Sequence, residues 1–279
     1  MRLKSFLLGA VALAALSGAA LAQTKTLTIA TEGAYAPWNF TEPSGKLAGF
    51  EIDLAADLCA RMKVECKIIA QDWDGIIPGV NAGKFDVIMA GMSITEKRKQ
   101  SIAFSVPYAM TPNGFTTLTT TPLAKLPGTG TVLSFDKDGP AAEKALEDMK
   151  ALLKGKVIGV QTSTTNANVM EKYFKGVVEL REYKTAEQHD LDLLAGRVDA
   201  VFASRVAETA NLKKPEFKDL ALVGPGFLGG LLGEGVGVGL RKADTELKAK
   251  LDEAIKGAVA DGVVKKLSEK WMGVDITPR

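Results

Sequence analysis

Ala82-Gly83-Lys84-Phe85-Asp86-Val87 and Ala195-Gly196-Arg197-Val198-Asp199-Ala200 are two versions of one six-residue pattern. In each, a glycine suited to ending a helix stands just before a short apolar run of the kind that forms a buried strand. The two copies fall at equivalent places in two successive series of elements, and that placement decides the fold. Before the first copy, residues 27–30 read as a strand, Ile52, Ala55, Cys59 and Met62 share one face at helical spacing, Cys66–Ala70 reads as a second strand and 76–82 as a helix. Residues 86–90 make the third strand. The series then restarts, with strands at 156–160 and 177–180, helices at 166–174 and Ala186–Leu194, and a closing strand at 198–202. Strands alternating with helical periodicity predict parallel sheets covered by helices. The fold class is therefore α/β, with two similarly built, Rossmann-like lobes.

The segments between the series supply the joins. Residues 113–120 are threonine-rich and strand-like, and a loose Pro/Gly stretch follows at 122–130, which fits a first crossover. Residues 233–240 carry glycine at Gly235, Gly237 and Gly239, as suits a returning strand where side-chain bulk is unwelcome. The tail has helical spacing at Leu247, Leu251, Ile255 and Val259, then Val263, Leu267 and Trp271, and should pack back on the first lobe. The expected layout is a first lobe from 23–115 and 233–279, a second lobe from 116–232, and two crossover strands acting as a hinge.

Arg2 and Lys4, an apolar stretch over 6–16 and Ala20-Leu21-Ala22 before Gln23 have the order of a cleavable secretory signal over residues 1–22. The apolar stretch falls short of the roughly 20 residues a membrane helix needs. The residue directly after the cleavage point is Gln23 and not a cysteine, so the expectation is a protein free in the periplasm rather than lipid-anchored. About 255 residues then remain, ample for two lobes. A net charge of +2 without a basic stripe argues against nucleic acid as a partner. Cys59 and Cys66 are the only cysteines. In an oxidising compartment so close a pair reads as a disulfide, the alternative being half of a metal site, for which no histidine lies nearby.

In open α/β sheets ligands bind beyond the carboxyl ends of strands, where helix N-termini and free amides point. The strand ends here deliver Glu32, Ala90-Gly91, Gln161 through Thr165, and Ala203-Ser204, two groups from each lobe. Ser93 and Glu96 have the spacing of a capping box, and Arg98 lies about one turn into that helix, able to turn back over its end. Its guanidinium fork suits a carboxylate. Thr162 through Thr165 offer hydroxyls and amides from the other lobe. Tyr35 and Trp73 fall where a cleft wall should be, while Trp38 fits core and site equally well.

Glu32 with Tyr35 and Pro37-Trp38-Asn39-Phe40, Gly49-Phe50-Glu51-Ile52-Asp53-Leu54, Asp74-Gly75-Ile76, Ser93-Ile94-Thr95 with Arg98, and Ala103-Phe104-Ser105 together resemble the type II periplasmic binding proteins of polar amino-acid importers. The resemblance runs along the whole mature chain and is nearest to the octopine- and nopaline-binding branch beside the lysine/arginine/ornithine and histidine binders. It implies a bridged Cys59–Cys66 pair, a ligand α-carboxylate held by Arg98, Ser93 and Thr164 with backbone help from Ala90-Gly91, a ligand chain between Tyr35 and Trp73, and a distal cation on Glu32. Ordinary amino-acid binders place an aspartate where this chain has Ser204. That departure points to a secondary amine with a carboxylated arm, as in an opine, with Gln161 and Ser204 as contacts to the arm and Arg205 next door. A free basic or polar amino acid is the alternative ligand.

The resemblance further implies an ABC importer permease as partner, a small zwitterionic ligand, a monomer, and no cofactor or metal. Enzyme chemistry has little to build on. The only histidine, His189, lies in a polar helix and reads as solvated, and Glu32 has no evident acid–base partner. A dehydratase on the same fold is the distant alternative, and a sensory domain would need an anchor or signalling module that the chain does not display.

Overall fold

The computed structural model describes residues 26–278, so the signal-peptide reading of 1–22 lies outside it. The first series runs β1 (Leu27–Thr31), β2 (Ala34–Tyr35), β3 (Asn39–Thr41), β4 (Leu47–Ala48), α1 (Phe50–Met62), β5 (Cys66–Ala70), α2 (Trp73–Asn81), β6 (Val87–Ile88), α3 (Glu96–Lys99) and β7 (Ala103–Phe104). The second runs β8 (Asn113–Leu118), β9 (Val132–Ser134), α4 (Gly139–Leu153), β10 (Val157–Gln161), α5 (Thr165–Phe174), β11 (Glu179–Tyr183), α6 (Ala186–Leu194), β12 (Ala200–Ser204), α7 (Arg205–Asn211) and β13 (Leu220–Leu228). The chain ends on β14 (Gly239–Leu240), α8 (Thr245–Ala260) and α9 (Val263–Met272). Two main sheets result, ordered β5-β1-β6-β14-β7 and β11-β10-β12-β8-β13-β9, with β2-β3-β4 as a small third.

The repeated six-residue pattern does the same work in both sheets. Gly83 and Gly196 take φ of 71° and 66°, ending their helices in a conformation that suits glycine. The aspartate that follows then clamps the neighbouring strand. Asp86 donates its amide to Thr28 O at 2.9 Å and accepts Thr28 N on Oδ2 at 2.9 Å. Asp199 donates to Val157 O and accepts Val157 N, both at 2.8 Å. Each clamp sets the register in which β1 lies between parallel β5 and β6, and β10 between parallel β11 and β12.

Beyond these strands the sheets are mixed, not wholly parallel as the alternation predicts. β14 runs antiparallel to β6 and β7, and β8 antiparallel to β12 and β13. Parallel neighbours require a covered crossover, whereas β8 and β14 each enter a sheet straight from the other one. β8 lies wholly in the second sheet, so a lobe limit between 115 and 116 cuts through a strand. The outgoing and returning segments are bonded to each other: Val236 N donates to Ala109 O at 2.8 Å and Tyr108 N to Val236 O at 2.9 Å.

Helices α8 and α9 pack on α1, burying Leu251, Ile255, Val264 and Met272 with Leu54 and Leu58. Trp271 Nε1 donates to Asp53 Oδ2 at 2.7 Å, tying the end of the chain to α1. The second core centres on Phe115, which meets Phe174 and Phe202 edge-on. It also takes in α4 through Ala142, Leu146, Met149 and Leu153, a helical spacing present in the sequence but not singled out above.

Cys59 and Cys66 are joined, with Cα atoms 6.2 Å apart, linking the end of α1 to the start of β5. Closing so short a loop restricts the unfolded chain by about 2 to 3 kcal/mol. Replacing both cysteines by serine should lower the unfolding free energy by that amount in a denaturant titration. An unchanged midpoint and slope would show that the bridge does not contribute through the unfolded state.

Candidate functional site

The carboxyl ends of β1 and β6 face those of β10 and β12 across a cavity of about 270 Å³. Glu32, Tyr35, Trp73, Ala90, Gly91, Ser93, Arg98, Gln161, Thr164 and Ser204 all line it. Glu32 Oε1 accepts Gln161 Nε2 at 2.7 Å, and Arg98 Nη2 reaches Ser163 O at 3.4 Å, so the walls contributed by the two sheets touch.

Behind the first wall lies a residue whose role was not assigned from the sequence. The carboxyl of Glu51, on the first turn of α1, is 1% exposed. Oε1 accepts the Tyr108 hydroxyl and, at 2.7 Å, the amide of Gly91, while Oε2 accepts Asn39 Nδ2 at 2.6 Å. Asn39 Oδ1 in turn takes the amide of Gly33 at 2.8 Å. One buried carboxyl thus fixes the loops after β1 and β6 and the outgoing crossover. Burial raises its pKa, with the three donors acting the other way. Gly91 has φ of 61°, and a Cβ there would lie 2.9 Å from a ring carbon of Tyr35, so glycine is required on both counts.

Arg98 sits on α3, whose N-cap is Thr95 and not Ser93. Thr95 Oγ1 accepts Arg98 N at 3.2 Å, which displaces the expected Ser93–Glu96 capping box. Ser93 instead pairs with Val236 of the returning segment and accepts Arg98 Nη1 on its carbonyl at 3.0 Å. The guanidinium makes no ion pair with a carboxylate among the described residues, and burial lowers its pKa to about 10. It lies 5.2 Å from the centre of the Trp73 ring. Trp73 opens α2 instead of sitting in the loop before it, so its ring backs the guanidinium as well as facing the cavity.

On the second wall, Thr164 caps α5: its hydroxyl donates to Gln161 O at 2.6 Å and accepts Ala167 N at 3.2 Å. Gln161 also donates to Lys184 O at 3.0 Å. Ser204 ends β12, two residues beyond the predicted strand end, and is 4% exposed, its hydroxyl directed at that of Tyr35. Tyr35 stands beside it, its ring stacked on buried Trp38 at 6.2 Å, and burial raises its pKa.

Two residues lie elsewhere than expected. His189 is 1% exposed, not solvated, and sits 2.8 Å from Asp190 Oδ1 against the edge of Tyr183. Its helix is polar in composition, but the polar groups on that side turn inward. Arg205 does not line the cavity; its Nη1 donates to the carbonyls of Val223 and Gly224 at 3.2 and 3.1 Å, where β13 bulges against β8. Residues that do line the cavity without having been anticipated include Thr111, Asn113, Ser134 and Lys137. Asn113 pairs directly with Ser204 across β8 and β12, a neighbour that strand order reveals and linear spacing does not.

The sequence pattern of the bacterial extracellular solute-binding proteins, family 3, matches residues 27–274. The chain belongs to that family. It is 50% identical to the octopine-binding periplasmic protein of Rhizobium meliloti over 296 aligned positions that cover all of both chains. It is 37% identical to the L-arginine-binding protein of Pseudomonas aeruginosa, covering 98% of each. Among solved structures, an ancestral arginine-binding protein bound to arginine superposes with a TM-score of 0.74 at 32% identity, covering 89% of this chain and 98% of the other. A periplasmic His/Glu/Gln/Arg/opine family-binding protein from Silicibacter pomeroyi in complex with lysine gives 0.71 at 30%, covering 90% and 99%. The two-lobed type II periplasmic-binding-protein fold is that of this family-3 member.

Glu32 is 7% exposed. Burial chiefly raises its pKa from 4.5 to about 7; the Gln161 bond opposes the shift, and Glu51, Asp72 and Asp74 add to it. Below pH 4.5 both folded and unfolded chains hold the proton and this group leaves stability unchanged. Between 4.5 and 7 the unfolded chain releases it first, so stability falls as pH rises, and above 7 the loss is complete. Relative to Glu32→Gln, the ligand-free protein should lose about 3 kcal/mol across that window, at ~1.4 kcal/mol per unit. Parallel stability curves for the two proteins would show that Glu32 titrates normally.

Proposed function

We propose that this chain is the periplasmic substrate-binding component of an ABC importer, delivered by a cleavable signal over residues 1–22, and that its ligand is an opine: a basic amino acid whose nitrogen bears a second, carboxylated arm. The observation that carries the opine reading is Ser204. An α-ammonium buried at that strand end needs a carboxylate beside it, whereas the group present is a neutral hydroxyl set against that of Tyr35. A secondary amine carrying an acidic arm tolerates such a neighbour better.

In this reading the ligand's α-carboxylate lies on Arg98, with the Ser93 and Thr164 region and the backbone of Gly91 beside it. Its chain runs between Tyr35 and Trp73, and its distal cation reaches Glu32. The 50% identity to an octopine-binding protein supports the ligand class. Binding draws the two walls together, because contacts come from both. The protein acts as a monomer, passes its ligand to a membrane permease, and performs no chemistry on it. A free basic amino acid is the second reading, favoured by Glu32 as a partner for a guanidinium and by the similarity to an arginine binder.

Arg98→Ala should abolish detectable binding in calorimetry while the far-UV circular dichroism stays unchanged, since a desolvated carboxylate without its cation costs about 3 kcal/mol or more. Near-normal affinity would remove Arg98 from the site. Ser204→Asp should weaken octopine and nopaline by several kcal/mol through like-charge repulsion, and strengthen arginine and lysine through a new bond to the free ammonium. Equal losses for all four ligands would contradict the assignment of the arm to Ser204.

A further inference from the structure

On the second wall the strand ends stand in a fixed order. Gln161 ends β10 and Ser204 ends β12; Ser204 is paired with Asn113 of β8, Asn113 with Phe227 of β13, and Leu228 with Ser134 of β9. Neighbouring strands are about 4.8 Å apart, so the row extends from Ser204 by about 10 Å to Leu228 and about 14 Å to Ser134. Asn113, Leu228 and Ser134 all line the cavity.

The row ends in a cation. Lys137, an exposed residue, lines the same cavity, and no salt bridge joins it to a carboxylate among the described residues. Its backbone is fixed by the turn that carries it: Ser134 Oγ accepts the amides of Asp136 and Lys137 at 3.3 Å, and Asp138 Oδ2 accepts Ser134 N at 3.0 Å. The adjacent acids are engaged elsewhere. Asp136 Oδ1 accepts Gly230 N at 3.1 Å, and Glu234, on the facing side of the mouth, is held by Lys99 at 2.9 Å. Arg98 and Lys137 are thus the two cations lining the cavity, and they serve different sides of it.

We infer that Lys137 is the counter-ion for the far carboxylate of a ligand whose nitrogen-linked arm is long enough to carry one along this row. This rests on the opine reading above, which puts the nitrogen beside Ser204. An arm leaving that nitrogen along the row passes Asn113 and Leu228 and points its far carboxylate at the lysine, whose flexible four-carbon stem reaches back over the row. Longer arms come closer to it, so the lysine sets a preference by arm length that Arg98, which holds the carboxylate common to all such ligands, does not impose.

The test is calorimetry of the mature protein and of Lys137→Met with octopine, whose arm is a carboxyethyl group, nopaline, whose arm carries two carboxylates, and arginine, which has no arm. At low salt the variant should bind nopaline about five-fold more weakly, as for a solvent-accessible charge pair, octopine less affected, and arginine changed by less than two-fold. Lys137→Arg should restore nopaline binding, and added salt should shrink the difference. Equal weakening of all three ligands, or unchanged nopaline affinity, would overturn the assignment. A parent protein that binds arginine and neither opine would instead overturn the opine reading, and this inference with it. A parent that binds the opines with an indifferent variant overturns the inference alone.

Discussion

The buried carboxyl of Glu51 is the constraint on which the cleft depends. It gathers the Gly91 amide, the Tyr108 hydroxyl and the Asn39 amide, and through Asn39 the amide of Gly33. Those groups belong to the loop after β1, the loop after β6 and the outgoing crossover, three pieces that meet at this one carboxyl. A buried carboxyl with three donors is stable where it stands, and removing it would leave those donors unpaired at a cost of about 1 to 3 kcal/mol each. Gly91 and Tyr35 are then held closely enough that a single added methyl group at position 91 would collide with the ring.

Against this rigid background the cleft holds charges that the protein itself does not neutralise. Arg98 is bonded to carbonyl oxygens and backed by Trp73, and Glu32 is bonded to an amide. Each is partly or largely withdrawn from water and lacks an opposite charge within bonding distance among the described residues, so burial shifts both toward their neutral forms. A zwitterionic ligand supplies both missing partners at once. The same two residues reach across to Gln161 and Ser163, so the groups proposed to meet the ligand also hold the walls together.

Much of this was legible in the sequence because its periodicities are local. The repeated six-residue pattern announced two lobes, and its glycine ends a helix as its position suggested, while the strand clamp made by its aspartate shows only in the paired sheet. Strand ends gave the cavity residues, since position after a parallel strand is itself a geometric statement. What escaped depends on long-range contact. Glu51 stands in the sequence only as part of the Gly49–Leu54 stretch of the resemblance, and nothing in its neighbours announces Tyr108 or Gly91 as partners. His189 is buried because α6 turns its polar side toward other elements, which composition cannot reveal. The cap of α3 moved from Ser93 to Thr95 because Ser93 is taken up by pairing with Val236, from the far end of the chain. Asn113 became visible only once strand order set it beside Ser204, and Lys137 only once the same row was followed to Ser134.

The account turns on a ligand with a carboxylated arm at the nitrogen beside Ser204, and competition between two ligands for one site tests that directly. The mature protein, freed of bound ligand, is mixed with equimolar octopine and arginine in excess and the complexes are weighed by native mass spectrometry. The account predicts a dominant peak carrying octopine. A dominant peak carrying arginine would contradict it and leave the cleft as that of a basic amino-acid binder.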